Sequence, residues 1–366
     1  MPSSPTQMFI TGLATASPPW RYTKADCLDA FTRSAWYARL EPRALFITRT
    51  VLQRDNGIEA RRLAVDSLDQ VFDIDPNTLA RRFLEHAPTL AATAAARALD
   101  DAGLEAQAIS AVIVSTCTGY LCPGLSGYVV QRLGLGADTQ GFDLVGQGCA
   151  AAVPNLQMGA ALLSSGTHRH VLSICVEVSS AAMYLDNDPG VLISACLFGD
   201  GAGAAVLSRA PAPNRRAIRW VDTQSFVDPG QRAALMFEQR DGMLRNILTR
   251  TVPALAATHA RTVLDTVLER HDLRPGRIAA WILHAGGRDV LQELTRTLGV
   301  SDDDLRHSAA MLREHGNLSS AFVYFVLQTA LAGGAEGGGS ADDGWWWLAT
   351  FGAGFSCHGA LLEVGA

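Results

Sequence analysis

Lysine is almost missing from this chain. Of 30 basic residues, only Lys24 is a lysine. A P-loop needs G-x-x-x-x-G-K-[ST], so nucleotide hydrolysis of that kind is excluded. A Schiff-base or pyridoxal enzyme would have to rely on Lys24, which sits in polar "RYTKAD" without the apolar setting that activates such a lysine. Charge is scarce too. Only 18% of the 366 residues are charged, against 48% hydrophobic, and the net charge is −6. That balance leaves no basic footprint for nucleic acid. No basic leader precedes an apolar run and no 18-residue apolar span occurs, so no signal peptide and no membrane helix are expected, and the location read from this is cytoplasmic. Cysteine is present but unorganised. Cys27, Cys117, Cys122, Cys149, Cys175, Cys196 and Cys357 are odd in number and irregular in spacing. Reduced thiols are expected rather than a disulfide framework, and with no C-x-x-C pair no metal site is expected.

Glycine is plentiful, with 34 residues, and strand-like and helix-like runs alternate. "MFITGLATA" (8–16) reads as a strand, 89–104 as a helix closed by Gly103, and "ISAVIVST" (109–116) as a buried strand. Residues 23–85 read as mixed, polar and helical. Further helices are predicted at 124–135, 150–165, 253–270, 288–298 and 318–332. Further strands are predicted at 141–146, 170–178, 203–208, 278–284, 345–350 and 357–364. "GGAEGGGSADDG" (333–344) reads as a surface loop. The proline- and arginine-rich "SRAPAPNRRA" (208–217) marks a break, dividing the chain into 1–210 and 211–366. Alternation in both parts predicts a layered α/β architecture.

One cysteine stands apart. In "GFDLVGQGCAAAVPNLQMGAALL" (141–163), Cys149 lies where a strand-like run meets a small-residue helix. A helix N-terminus and a nearby histidine would favour its thiolate. "AWILHAGGRDVL" (280–291) ends a buried strand on His284 before a glycine pair. "REHGNLSSAFVYFVL" (313–327) places Asn317 before a helix. Alone, each has an ordinary reading: a core thiol, a hydrogen-bonded histidine, an N-cap. Together they form the set that a thiol nucleophile requires, though residue types alone also permit hydrolysis.

These segments resemble the type III polyketide synthases, the chalcone-synthase-like branch of the thiolase superfamily. "GQGCAAA" resembles the family's nucleophile elbow, "ILHAGG" its His-Pro-Gly-Gly segment and "GNLSSA" its Gly-Asn-Met-Ser-Ser segment. Cys149 and His284 are 135 residues apart, and His284 and Asn317 are 33 apart. Both intervals suit the family. The resemblance implies an α/β, thiolase-like, five-layered α-β-α-β-α fold with two similar halves. Cys149 would lie in the first half, and His284 and Asn317 in the second. It also implies a homodimer that takes acyl-CoA and malonyl-CoA as substrates and needs no cofactor. The acyl chain would ride on Cys149 while His284 and Asn317 stabilise the enolate left by decarboxylation. The product would be an aromatic or pyrone polyketide.

The resemblance extends to the substrate site. "LFGDGAGAAVL" (197–207) puts Phe198 at the family's gatekeeper position. The glycine pattern there precedes a strand, so it is not a dinucleotide loop. Gly352 and Gly354 fall in "TFGAGFS" (350–356), a loop that shapes the cavity. Ser319 would contact a starter or position water. Cys117 stands where a threonine lines the chamber. Cys122 stands where plant relatives carry a methionine that reaches the partner subunit's cavity. Arg54 and Arg61, with Arg49 and Arg62 nearby, would take the CoA phosphates. Two family prolines are replaced, by Ala285 and Ala353. The alternatives are an initiating ketoacyl-carrier-protein synthase, which makes one condensation, a papain-like thiol hydrolase, and a non-catalytic thioester-binding protein.

Overall fold

A computed structural model describes residues 7–213, 215–336 and 343–365. The first half opens with β1 (Met8–Ala16). A small ribbon of β2 (Arg21–Thr23) and β3 (Ala60–Arg62) encloses α1 (Lys24–Arg33) and α2 (Pro42–Gln53). Then come α3 (Pro76–Ala102), β4 (Ala111–Thr116), α4 (Leu125–Leu133), β5 (Gln140–Val145), α5 (Ala152–Ser164), β6 (His170–Glu177), α6 (Pro189–Leu197) and β7 (Gly201–Ser208). The second half has β8 (Ala217–Val227), a hairpin of β9 (Leu235–Arg240) and β10 (Met243–Leu248), α7 (Val252–Arg270), β11 (Ile278–Leu283), α8 (Arg288–Leu298), α9 (Arg306–His315), α10 (Phe322–Glu336), β12 (Gly344–Gly352) and β13 (Ser356–Gly365).

Nine strands form one sheet in the order β11-β12-β13-β8-β1-β7-β6-β4-β5. Its two stretches repeat one plan. β4 runs parallel to β6, while β6–β7 and β7–β1 are antiparallel. Likewise β11 runs parallel to β12, while β12–β13 and β13–β8 are antiparallel. The stretches join where Met8 faces Trp220 and Phe9 faces Arg219. α5 packs on β4, β6 and β7 and also on β12 and β13, while α10 packs on β11 and β12 and also on β1 and β7. These two helices are therefore the central layer. α3 and α4 cover one outer face and α7, backed by α8, the other, giving the α-β-α-β-α stack. β4 and β7 are buried along their whole length, as strands covered on both faces should be.

Three local expectations change. The helix predicted from residue 89 begins at Pro76 and runs through buried Pro88. Asp75 caps it by accepting from the backbone N–H groups of Asn77 and Thr78 at 3.1 and 3.0 Å, a proline opens it, and packing outweighs the one hydrogen bond lost at Pro88. The helix predicted from 318 begins at Phe322, after a short turn over Ser319–Ala321. The expected loop at 333–344 is helical as far as Glu336 and extended from Gly344, and 337–342 lie outside the described residues. Among the described residues, no helix is long and apolar enough to cross a membrane.

Candidate active site

Cys149 sits in a tight turn, Gly148–Ala150, between β5 and α5. Gly148 has φ +55, a backbone that favours glycine and lets the chain reverse into the helix. The end of β12 supports the turn from below. Thr350 donates to the Ala150 carbonyl at 2.8 Å. A Cβ on Gly352 would stand 2.6 Å from the Ala150 nitrogen and 2.9 Å from that of Cys149. Gly352 therefore admits close backbone approach under the nucleophile and does not line the substrate space. Gly354, at φ +135 in the β12–β13 turn, is likewise absent from the cavity walls described below.

His284 follows β11 directly, anchored by its N–H to the Ala349 carbonyl at 3.0 Å. Phe322 and Phe351 meet its ring edge-on, with centroids at 5.3 and 5.1 Å. Its Nδ1 has no hydrogen-bond partner. Asn317 follows α9. Its backbone brackets the end of α6, donating to Leu197 O at 2.9 Å and accepting from Gly199 N at 2.9 Å. Its Oδ1 accepts from Ser319 N at 2.8 Å, which fixes the amide and leaves Nδ2 as the donor. Nδ2 makes only a long contact of 3.4 Å to Gly286 O.

Cys149, His284, Asn317 and Phe198 line one cleft of about 810 Å³. Ser319 ties the set together: its hydroxyl donates to the Cys149 sulfur at 3.2 Å while its N–H holds Asn317. Phe198 also lines a small inner pocket of about 30 Å³, with Cys117, Ser319 and Met183 among its walls. It therefore stands between the two spaces. Cys122 is exposed and lines neither.

The electrostatic expectation is corrected. Burial pushes the Cys149 thiol up to about 12, outweighing the hydrogen bond from Ser319. Burial pushes His284 down to about 3. In the free site both groups are neutral near pH 7, because burial penalises the charged form of each.

The arginines divide. Arg54 lies at the cleft mouth, together with Arg250 and Arg288. Arg61 does not: it is 6% exposed, and its guanidinium donates to the carbonyls of Ala195 and Phe198 at 2.7 and 2.9 Å. Arg62 donates to Pro18 and Pro19 carbonyls, and Arg49 to the Tyr37 hydroxyl at 3.4 Å.

Sequence reading missed Glu177. This fully buried carboxylate ends β6. It accepts from Thr118 Oγ1 at 2.9 Å, Cys117 N at 3.0 Å, Cys117 Sγ at 3.4 Å and the Ser320 hydroxyl. A lone acid closing the apolar run "HVLSICVEV" was the available signal. Burial raises its pKa despite those bonds.

A family model for FAE1/type III polyketide synthase-like proteins matches residues 27–279. A second, for the C-terminal domain of chalcone and stilbene synthases, matches 220–364. The chain belongs to the type III polyketide synthase family. Among its relatives, a 3,5-dihydroxyphenylacetyl-CoA synthase of Streptomyces toyocaensis is 27% identical over 98% of this chain and 91% of its own. A 1,3,6,8-tetrahydroxynaphthalene synthase of Streptomyces peucetius subsp. caesius is 30% identical over 87% of this chain and 84% of its own. In fold, the chain matches the crystal structure of PKS-I from the brown alga Ectocarpus siliculosus, with a TM-score of 0.90 over 99% of this chain and all of that one, at 24% identity. This type III polyketide synthase is accordingly an acyltransferase. It extends an acyl-CoA starter by repeated decarboxylative condensation with malonyl-CoA, and the family match does not favour a single-condensation carrier-protein synthase.

Proposed function

We propose that Cys149 is the acyl carrier and that His284 and Asn317 are the two donors to the enolate. The observation that carries this reading is the shared cleft of about 810 Å³, with sulfur, imidazole and carboxamide on its wall and Phe198 at its inner end. The resting thiol and imidazole are neutral, so proton transfer accompanies thioester binding. His284 takes the proton as Cys149 attacks the starter carbonyl, and returns it to the departing CoA thiolate. Malonyl-CoA then enters the same cleft and loses CO₂. The enolate oxygen accepts from His284 and from Asn317 Nδ2, whose present contact is long and readily exchanged. Each such donor is worth about 10²–10³ in rate. The enolate carbon attacks the acyl-Cys149 carbonyl, the sulfur leaves, and the lengthened chain is now a CoA thioester that can reload Cys149. Every step uses side chains and CoA thioesters alone, with no cofactor.

Arg54, Arg250 and Arg288 at the mouth suit the CoA phosphates. Cys117 and Ser319, beyond Phe198, would wall the space for the growing chain. We also propose a cytoplasmic homodimer in which Cys122 faces the partner. Supporting this, β5 is an open sheet edge, and Val145 and neighbouring Tyr120 are 58% and 77% exposed. The product is an aromatic or pyrone polyketide, as the names of the curated relatives suggest. Mass spectrometry of products from malonyl-CoA with a panel of acyl-CoA starters tests the reading. Lactone or aromatic products several extensions long support it, and single condensation or bare hydrolysis overturns it.

A further inference from the structure

α6 divides three spaces. Gly190, Ile193 and Leu197 face the cleft, Val191 and Ser194 face the inner pocket, and Leu192 and Cys196 face a third, apolar cavity of about 40 Å³. Phe198 is the residue that caps its C-terminal end. The last carbonyls of a helix lack partners within it and carry the negative end of its dipole. Here one buried cation meets them. Arg61, reaching from β3, donates through one nitrogen to both Ala195 O and Phe198 O and through the other to Cys27 Sγ at 3.3 Å. Among the described residues no carboxylate hydrogen-bonds this guanidinium. Its stem also abuts the residue before Asn317: a Cβ on Gly316 would stand 3.0 Å from Arg61 Cγ and 2.5 Å from Leu197 O. The same short segment is bracketed by the Asn317 backbone, and its next residue is tied to the strand of Arg61, since Asp200 N donates to Arg62 O at 2.8 Å.

We propose that Arg61 is a positioning residue: it fixes the last turn of α6 and thereby sets Phe198 and Asn317 together at the inner end of the cleft. This rests on the roles given to those two residues above. A buried arginine has no view of the CoA phosphates, so its loss leaves substrate binding largely intact. It moves the gate and the enolate donor instead. A misplacement of about 1 Å at such a donor costs up to about 10²-fold.

The test compares Arg61→Lys, which keeps charge and stem but loses the planar fork, with Arg61→Met. In Arg61→Lys, kcat for malonyl-CoA decarboxylation falls about 10- to 100-fold while KM stays within about threefold, and Arg61→Met falls further. The distribution of polyketide chain lengths shifts as well, and that shift disappears in a Phe198→Ala background, because Arg61 acts through the gate. Cys27→Ala removes the third acceptor but leaves both α6 carbonyls held, so its kinetics stay near wild type. Wild-type kcat in folded Arg61→Lys overturns the proposal. So does a chain-length shift that adds to that of Phe198→Ala, or a variant too unstable to assay, which makes Arg61 a general structural residue. If Asn317→Ala and Phe198→Ala are themselves silent, the underlying roles fail, and this proposal fails with them.

Discussion

β4-β6-β7-β1 and β11-β12-β13-β8 follow the same course, and the site draws on equivalent places in both. The residue just past β4 is Cys117, and the residue just past β11 is His284. Cys149 lies three residues before α5, and Ser319 three before α10. The chemistry at matching places is opposite. The first half presents two thiols and, on the strand beside Cys117, the carboxylate of Glu177. The second presents N–H and O–H donors, and beside His284 the neighbouring strand carries Thr350, committed to Ala150 O, and Phe351, whose ring edges the imidazole. A repeated plan brings the starts of two central helices to one point. Neither half alone holds both a nucleophile and a donor for the charge it creates. The fold sets where the groups meet, and the side chains divide covalent work from charge stabilisation.

The sharpest way to break this division is to remove the sulfur. Cys149→Ala should abolish polyketide formation and the acyl-enzyme mass adduct, yet retain malonyl-CoA decarboxylation, because the donors lie in the other half. Parallel loss of both activities would mean that the halves are not chemically separate. Next in size is the converse. His284→Ala and Asn317→Ala should each lower decarboxylation by about 10²-fold or more. Both should still take an acyl adduct on Cys149, more slowly for His284→Ala. Near-wild-type decarboxylation in both would remove the second half from the reaction.

These three residues were legible in the sequence because each stands beside glycine at the end of a regular run, inside a segment that resembles a family motif. Strands covered on both faces, such as β4 and β6, were legible because burial writes them as continuous apolar runs. α6 was not. "PGVLISACL" is apolar on every side, so no periodicity marks it as a helix. Its three-way environment, which gives every face a cavity to line, exists only in the tertiary structure. α9, with the charge-rich "RHSAAMLREH", and the β9–β10 hairpin also escaped. The thiolate expectation failed for a related reason. A helix start is visible in sequence, whereas the Phe322 and Phe351 rings that enclose His284 come from β12 and α10. Arg61 read as a ligand for the CoA phosphates because nothing local says that its neighbours across the chain are carbonyls.

Burial moves the histidines and the carboxylate in opposite directions. His284 is depressed to about 3, and His315 and His358 to about 4, mainly by burial. Between those values and 6.5 the unfolded chain binds the extra protons, so their stability contribution is full above pH 6.5 and is lost as pH falls. The slope is about 1.4 kcal/mol per pH unit for each histidine. Glu177 is raised, so the native state holds its proton longer than the unfolded state does, and stability falls as pH rises through the window above 4.5. Denaturation from pH 7.5 down to 5 should therefore show net acid destabilisation, shallower in His284→Ala and steeper in Glu177→Gln. An unchanged slope in His284→Ala would mean that its imidazole is not neutral in the free site.

The smallest effects belong to the cleft mouth, where the division between halves vanishes. Arg54 comes from the first half and Arg250 from the second, both exposed and without a carboxylate partner among the described residues. Arg288 instead meets Asp55 at 3.0 Å. Exposed charges contribute about 0–1 kcal/mol each and are screened within about 10 Å at 0.1 M salt. Arg54→Ala and Arg250→Ala should each raise KM for malonyl-CoA by about three- to fivefold, with kcat unchanged and the difference shrinking as salt is added. Asp55→Ala, which frees Arg288, should lower KM slightly. Steady-state kinetics at two ionic strengths separates this from Arg61, whose effect lies in kcat and is indifferent to salt. If Arg54→Ala lowered kcat instead, the mouth would be shaping the reacting geometry, and binding and chemistry would not be separable along the cleft.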